Sequence, residues 1–323
     1  VILLGADPEL VVVDPGGHPV PAHTWYPHKR AKVVTGCGSY YRDGFMVELN
    51  PCPNTCRALF AYGVRSLFQA ASSQLPAGYR LVSTPTVTID PTTLDDAPSD
   101  VSRFGCESAH NAYTGLDEVP RISADHRRRY AGGHLHLGVP RSAQDFGWMH
   151  DPEMRRLYIR MVDRRVGVPL AYITATPAQF DRRRYYGRAG EMRYQEYNSR
   201  YHGVEWRVPG ADIWNNNALV SFALGVMRHI AYHFREHAGM WDPASEAAVA
   251  RAINTGRGLA ALLPDQWRDT NGVTWYTKSL LTRLARARAF AEFGLPYEIY
   301  DMHLGWYEWC DMFAPEVVGE DED

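Results

Sequence analysis

The stretch VILLGADPELVVVDPGGHPV, Val1 to Val20, decides how the rest of the chain is read. It carries two apolar runs and ends them in Pro15-Gly16-Gly17, a turn that predicts a β-hairpin. Side chains alternate between faces along a strand, so Asp7 and Glu9 project from the same side. Two adjacent carboxylates repel unless water or a cation neutralises them. A hydrated outer face is the plain reading and a metal site the functional one.

Three further segments repeat the pattern. In DGFMVELNPCP (43–53), Met46, Glu48 and Asn50 face one way and Val47 and Leu49 the other, which leaves an acid on an apolar strand in need of a partner. In AGGHLHLG (131–138), His134 and His136 share a face while Leu135 and Leu137 pack behind, and Gly132-Gly133 permits close backbone approach. A single histidine is usually structural; two on one face point to a metal or phosphate. In HGVEWRVPG (202–210), Glu205 and Arg207 alternate with Val204, Trp206 and Val208, so a carboxylate and a guanidinium lie side by side.

Between these segments the periodicity changes. CRALFAYGVRSLFQAASSQL (56–75) has apolar spacings of three and four with Asn54 or Thr55 as N-cap, and PEMRRLYIRMVDRRVGVPL (152–170) also predicts a helix. RLVSTPTVTID (80–90) reads as strand, and Pro91 to Arg128 reads as loop. From Ile213 onward the pattern is helical, over 215–239, 243–263 and 277–294, before the acidic tail GEDED (319–323). Strands interspersed with helices and then a helical finish predict an α+β fold with an antiparallel sheet.

The 323 residues are 45% hydrophobic and 22% charged, which excludes general disorder. A net charge of -3 excludes a global basic field for nucleic acid, although seven arginines between Arg182 and Arg207 form a local cluster that suits a solvated face, an acidic small molecule or nucleic acid. The five cysteines form no compact disulfide framework, so a reducing compartment is expected. Cys52 and Cys56 lack a second pair at zinc spacing. No apolar run reaches membrane-helix length, and the acidic start does not resemble a signal peptide, so a cytoplasmic protein is expected.

Taken together, D-x-E, E-x-N, H-x-H and E-x-R on four strands are more specific than any one of them. With GADPEL (5–10), DGFMVELNPCP, FGCESAHNAY (104–113), RYAGGHLHLG (129–138), RRRYYGRAGEMR (182–193) and HGVEWRVPGADIW (202–214), the chain resembles the type-2 phage amidoligases. These are carboxylate-amine ligases of the glutamine synthetase and glutamate-cysteine ligase superfamily. The resemblance implies a glutamine synthetase-like fold whose curved antiparallel sheet forms a funnel for ATP and metal, with helices outside. It implies a catalytic core over 1–214, a helical part over 215–318 packed on the same domain, and the tail 319–323.

The resemblance also implies roles. Asp7, Glu9, Glu48, His134 and Glu205 would hold two or more Mg2+ or Mn2+ ions, with Asp at the first place where many relatives have Glu. Glu48, Glu205 and Arg207 form the implied catalytic set. Arg207, Arg193, Arg183 and His136 would meet the nucleotide, and Asn50 and Arg129 the substrate. Cys106 is expected to pack.

Physical reasoning agrees with the roles that the resemblance implies. ATP beside a carboxylate stacks negative charge that only divalent cations and fixed guanidinium groups offset. Carboxylates with one imidazole suit Mg2+ or Mn2+. There is no P-loop, no G-x-S-x-G and no Cys-His nucleophile pattern. The expected partners are a carboxylate and an amine, as small molecules, a peptide or a modified nucleobase, in the host cytoplasm if phage-encoded. Two other classes fit less well: a non-catalytic virion or interaction protein that kept the fold, and a metal-dependent hydrolase or nuclease.

Overall fold

The computed structural model describes residues 1–95, 97–102, 108–119, 126–215, 217–263, 266–268 and 274–276. The helix expected over 277–294, the aromatic segment 304–313, the acidic tail and Cys106 lie outside the described residues.

The chain opens with β1 (Leu3–Val13), β2 (Pro19–Val20), β3 (Val33–Thr35), β4 (Gly38–Asp43) and β5 (Met46–Pro51), followed by α1 (Arg57–Ser72). Next come β6 (Arg80–Val82), β7 (Thr86–Thr88), α2 (Pro91–Asp95), α3 (Ser99–Ser102), β8 (Ala109–Asn111), β9 (Asp117–Glu118), β10 (Arg128–Tyr130) and β11 (Gly133–Pro140). Helices α4 (Pro152–Val162), α5 (Val168–Ile173) and α6 (Pro177–Arg182) precede β12 (Glu191–Gln195) and β13 (Tyr201–Trp206). Then follow α7 (Asn217–Tyr232), α8 (Phe234–Gly239), α9 (Glu246–Thr255), α10 (Leu259–Leu262), β14 (Gln266–Arg268) and β15 (Thr274–Tyr276).

Eleven strands form one sheet in the order β3-β4-β5-β1-β11-β13-β12-β8-β9, with β2 and β6 also on β1. Its ladders are antiparallel, as the α+β reading expected. The alternation read from the sequence sorts its two faces. Leu4, Leu10, Val47, Leu49, Leu135, Leu137, Val204 and Trp206 turn to one side and join the main core with Phe60, Val64, Tyr158, Ile159, Phe222 and Met227 of α1, α4 and α7. Tyr158 ties two of those helices together by donating to the Met227 carbonyl (2.9 Å). The opposite face of β1 is polar at Asp7 and Glu9 and apolar again at Val11 and Val13, which pack with Phe45, Ile89 and Val101. That small second cluster closes one end of the polar face.

Several local expectations change. The 91–128 region read as loop contains α2, α3 and, on the sheet, β8, which pairs with β12 through Asn111 opposite Glu191. Three-residue strands are too short to show alternation. The 80–90 segment divides at Pro85: β6 joins β1 while β7 pairs with β10. The N-cap of α1 is Cys56, and Asn54 instead accepts from the Cys56 N–H (2.9 Å). The helix expected over 152–170 widens into a π turn at Asp163–Gly167. There the buried Asp163 carboxylate accepts from Trp206 Nε1 (2.8 Å) and the Gly190 N–H (2.6 Å), a tertiary contact that sequence periodicity does not encode. No described helix is long and apolar enough to cross a membrane.

Candidate functional site

Strand register assembles the site. Tyr41, Glu48 and Glu9 are direct neighbours across β4, β5 and β1. Asp7 faces His134 across β1 and β11, and His136, Glu205 and Arg193 line up across β11, β13 and β12. Directly opposed residues bring their side chains within about 5 Å at Cβ. Four two-residue motifs far apart in sequence therefore meet on one wall of a cavity of about 750 Å³. Asp7, Glu9, Glu48, Asn50, Arg129, His134, His136, Arg193, Glu205 and Arg207 all line it.

Gly133 and Gly132 make this approach possible. Gly132 bridges to Gly210, and a side chain at Gly133 would strike the Gly210 carbonyl. The Gly132 N–H also donates to Glu9 Oε2, while Glu9 N–H donates back to the Gly132 carbonyl (3.0 Å).

At the centre, His134 Nδ1 stands 3.1 Å from Asp7 Oδ1 and 3.4 Å from Glu205 Oε1. Neither carboxylate oxygen lies where it can accept a hydrogen bond, so this buried nitrogen has no hydrogen-bond partner. Ligand atoms of Asp7, His134 and Glu205 all lie within 4.8 Å of one another. His136 Nε2 reaches Asp7 Oδ1 at 3.1 Å. Glu205 is also held by Arg207 Nη1 and by Gln195 Nε2 (2.8 Å), with Arg193 Nη1 at 4.0 Å. An orphaned buried imidazole nitrogen between two carboxylates, in a set dominated by oxygen donors, fits a divalent cation.

The carboxylates fall into two electrostatic groups. Burial would raise the Asp7 carboxyl, but His134 and His136 outweigh it and hold the group far below the usual range. Glu205 is opposed by burial and by Asp7, yet His134, Arg207 and His136 keep it low. Glu48 is pushed well up by burial and by the nearby Asp7 charge, despite the Tyr41 hydroxyl that donates to its Oε1. Glu9 is also raised, chiefly by burial. Burial works against the His136 imidazolium and against the Arg207 guanidinium; Asp7 nonetheless raises the first, and Tyr186 with Glu205 raises the second.

Other expected residues occupy less direct places. Asn50 is exposed at the rim opposite Ser39. Arg129 is buried and donates to the carbonyls of His126 (2.9 Å) and Arg128 (3.0 Å). Arg193 donates to the Ser108 carbonyl (3.3 Å). Arg183, expected at the nucleotide, does not line the cavity: it is buried with Nη1 donating to the Ile253 carbonyl (2.8 Å). It follows α6, whose end turns it toward Ile253 of α9. Among the described residues, Cys52 and Cys56 join no group of three metal-ligating side chains.

Sequence reasoning missed Tyr186. Its hydroxyl lies 2.6 Å from His134 Nε2, accepts from Arg207 Nη2 (2.8 Å) and reaches Glu9 Oε1 at 3.5 Å. The one signal was a tyrosine inside the arginine-rich turn, just before Gly187. Tyr41, Gln195 and Tyr197 were missed as well. Tyr197 sends its hydroxyl to within 3.3 Å of His136 Nδ1.

No family model matches the chain, and no curated protein matches it. Among solved structures, it is similar to a chain in the complex of the prokaryotic ubiquitin-like protein Pup with its ligase PafA. That match has a TM-score of 0.44 and 10% identity, over 88% of this chain and 57% of the other. It is also similar to a structure described as a novel glutamine synthase homolog, with a TM-score of 0.41 and 11% identity, over 95% of this chain and 70% of that one. The chain thus spans little more than half of the first of these.

Proposed function

We propose that this chain is an ATP-dependent carboxylate-amine ligase, of the kind its motifs resemble in the type-2 phage amidoligases. The observation that carries the reading is the convergence of Asp7, Glu9, Glu48, His134 and Glu205 with Arg207 and Arg193 on one wall of one cavity. Four buried or half-buried carboxylates in one space are costly unless cations join them. Fixed guanidinium groups beside them suit phosphate oxygens.

In this reading Asp7, Glu9, Glu48, His134 and Glu205 hold Mg2+ or Mn2+, which when bound neutralises charge on the phosphates of ATP. Arg207 and Arg193 face the transferring phosphoryl group, where positive charge lowers the barrier. The substrate carboxylate oxygen attacks the γ-phosphorus and ADP departs, leaving an acyl phosphate. The amine nitrogen then attacks the acyl carbon, an amide forms, and inorganic phosphate leaves with the oxygen it gained. In this reading Arg129 and Asn50, which line the same cavity, meet the carboxylate partner. The carboxylate and amine are small molecules, a peptide or a modified nucleobase, and the proposed location is the cytoplasm.

The test is incubation with ATP, Mg2+ and pools of acids and amines, followed by mass detection. An amide product with ADP and phosphate is expected. AMP with pyrophosphate would replace acyl phosphate by adenylation, and nucleotide-independent bond cleavage would indicate a hydrolase. ATP should raise the melting temperature only when Mg2+ is present.

A further inference from the structure

We propose that Tyr186 is a positioning residue that sets the tautomer of His134: it holds the proton on Nε2, so that Nδ1 offers its lone pair to a divalent cation shared with Asp7 and Glu205. This rests on the metal half of the proposed function and not on the ligase chemistry.

Counting donors and acceptors at one hydroxyl leads there. A phenol has one proton to give and two lone pairs to receive. Arg207 can only donate, so its Nη2 at 2.8 Å takes one lone pair. His134 Nε2 at 2.6 Å and Glu9 Oε1 at 3.5 Å are two further neighbours of the same oxygen. With a divalent cation bound, Glu9 is a carboxylate and can only accept. The arrangement that serves Arg207, Glu9 and a metal-binding His134 Nδ1 together gives the phenol proton to Glu9 and takes the Nε2–H of His134.

The reverse arrangement spends the phenol proton on Nε2 and leaves that Glu9 oxygen without it. It also forces a proton onto Nδ1, where no acceptor lies in hydrogen-bonding geometry. A buried N–H without an acceptor is unfavourable. A bare Nδ1 beside two carboxylate oxygens is in turn tolerated only with a cation between them. The tautomer and the cation therefore imply each other, in the way outer partners commonly fix metal-binding histidines.

The tyrosine is itself held firmly. The Arg182 guanidinium lies 4.7 Å from its ring centroid and donates to the carbonyls of Val208 (2.9 Å) and Arg207 (3.2 Å), which anchors the ring to the end of β13. The ring meets His134 edge-on at 5.6 Å. Tyr186 thus links β1, β11 and Arg207, just after β13, through a single oxygen.

The experiment measures Mn2+ affinity of the full chain by electron paramagnetic resonance of free Mn2+, without nucleotide. Tyr186→Phe, which keeps the ring, should weaken binding about 10–100-fold with an unchanged circular dichroism spectrum. In a His134→Ala background the same change should add little, because its effect passes through the imidazole. Long-range proton–nitrogen correlation on the Mg2+-loaded wild type should show His134 protonated at Nε2, a reading that does not depend on any variant folding. Unaltered Mn2+ affinity in Tyr186→Phe, a full additional loss in the His134→Ala background, absence of Mn2+ binding by the wild type, or a proton on Nδ1 would each overturn the proposal. Amide synthesis with Mn2+ affinity indifferent to Tyr186 would sink this inference alone. Tyr186-dependent Mn2+ binding without any amide product would sink the ligase reading alone.

Discussion

Asp7 and Glu9 leave the same face of the same strand two residues apart, yet they belong to opposite halves of the cavity. Over β11 and β13, Asp7 and Glu205 share His134, His136 and Arg207, and both carboxyls are held low. Over β5 and β4, Glu9 and Glu48 face each other with Tyr41 as the nearest polar contact to Glu48, and both are raised. One half carries its counter-charges in the chain. The other carries fewer, and under the proposed function this is where added cations would bring the largest change in carboxylate charge.

The sharpest way to break that comparison is to remove a counter-charge from the compensated half. Glu205→Ala leaves Arg207 buried without its main carboxylate partner, so it should destabilise the protein by about 3–5 kcal/mol in denaturant unfolding. A loss below about 1 kcal/mol would mean that the two halves do not differ.

In the uncompensated half the expected pattern reverses. Glu48→Gln removes a carboxyl that burial already disfavours as an anion, so stability without metal should change by at most about 1 kcal/mol. Mn2+ affinity should fall at least about tenfold, the range seen when support of a metal site is lost. Isothermal titration beside thermal unfolding measures both, and matched losses would make Glu48 a scaffold residue.

The pH profile sharpens the same contrast. Asp7 and Glu205 have lowered carboxyls, so their contribution is present above the unfolded value near about 4 and is lost as pH falls through the folded one. Glu9 and Glu48 are raised, so their contribution is complete below about 4.3 and is lost as pH rises through their folded values. The metal-free melting temperature should decline on both sides. Mg2+ should flatten the alkaline decline, because binding favours the deprotonated carboxylates. An alkaline limb that ignores both Mg2+ and Glu48→Gln would contradict the assignment.

The smallest effect belongs to Arg183, outside both halves. Arg183→Gln should lower stability by about 1 kcal/mol through the lost Ile253 contact and leave Mn2+ affinity within about twofold. A large loss of Mg-ATP affinity would return Arg183 to the nucleotide.

How much was legible follows from where the information sits. Alternation is local, so a face shared by Asp7 and Glu9, by Glu48 and Asn50, by His134 and His136, or by Glu205 and Arg207 could be read two residues at a time. Strand β8 and the π turn at Asp163 could not be read this way. The first is too short for a period, and the second depends on Trp206 and Gly190, far along the chain. Arg183 shows the limit at single residues, because an arginine in a basic run looks the same whether it lines a cavity or meets a carbonyl.

By itself, then, the sequence determined which side chains share a strand face and that the apolar side of each strand had to be covered, because backbone pleating and the avoidance of water by apolar groups act residue by residue. Only the tertiary structure decided the strand order β5-β1-β11-β13, and with it that Glu9 meets Glu48 while Asp7 meets His134. It alone placed the Tyr186 hydroxyl among His134, Arg207 and Glu9. Those neighbours come from positions 21 to 177 residues away along the chain, where register, glycine contacts and burial settle which charges the chain itself compensates.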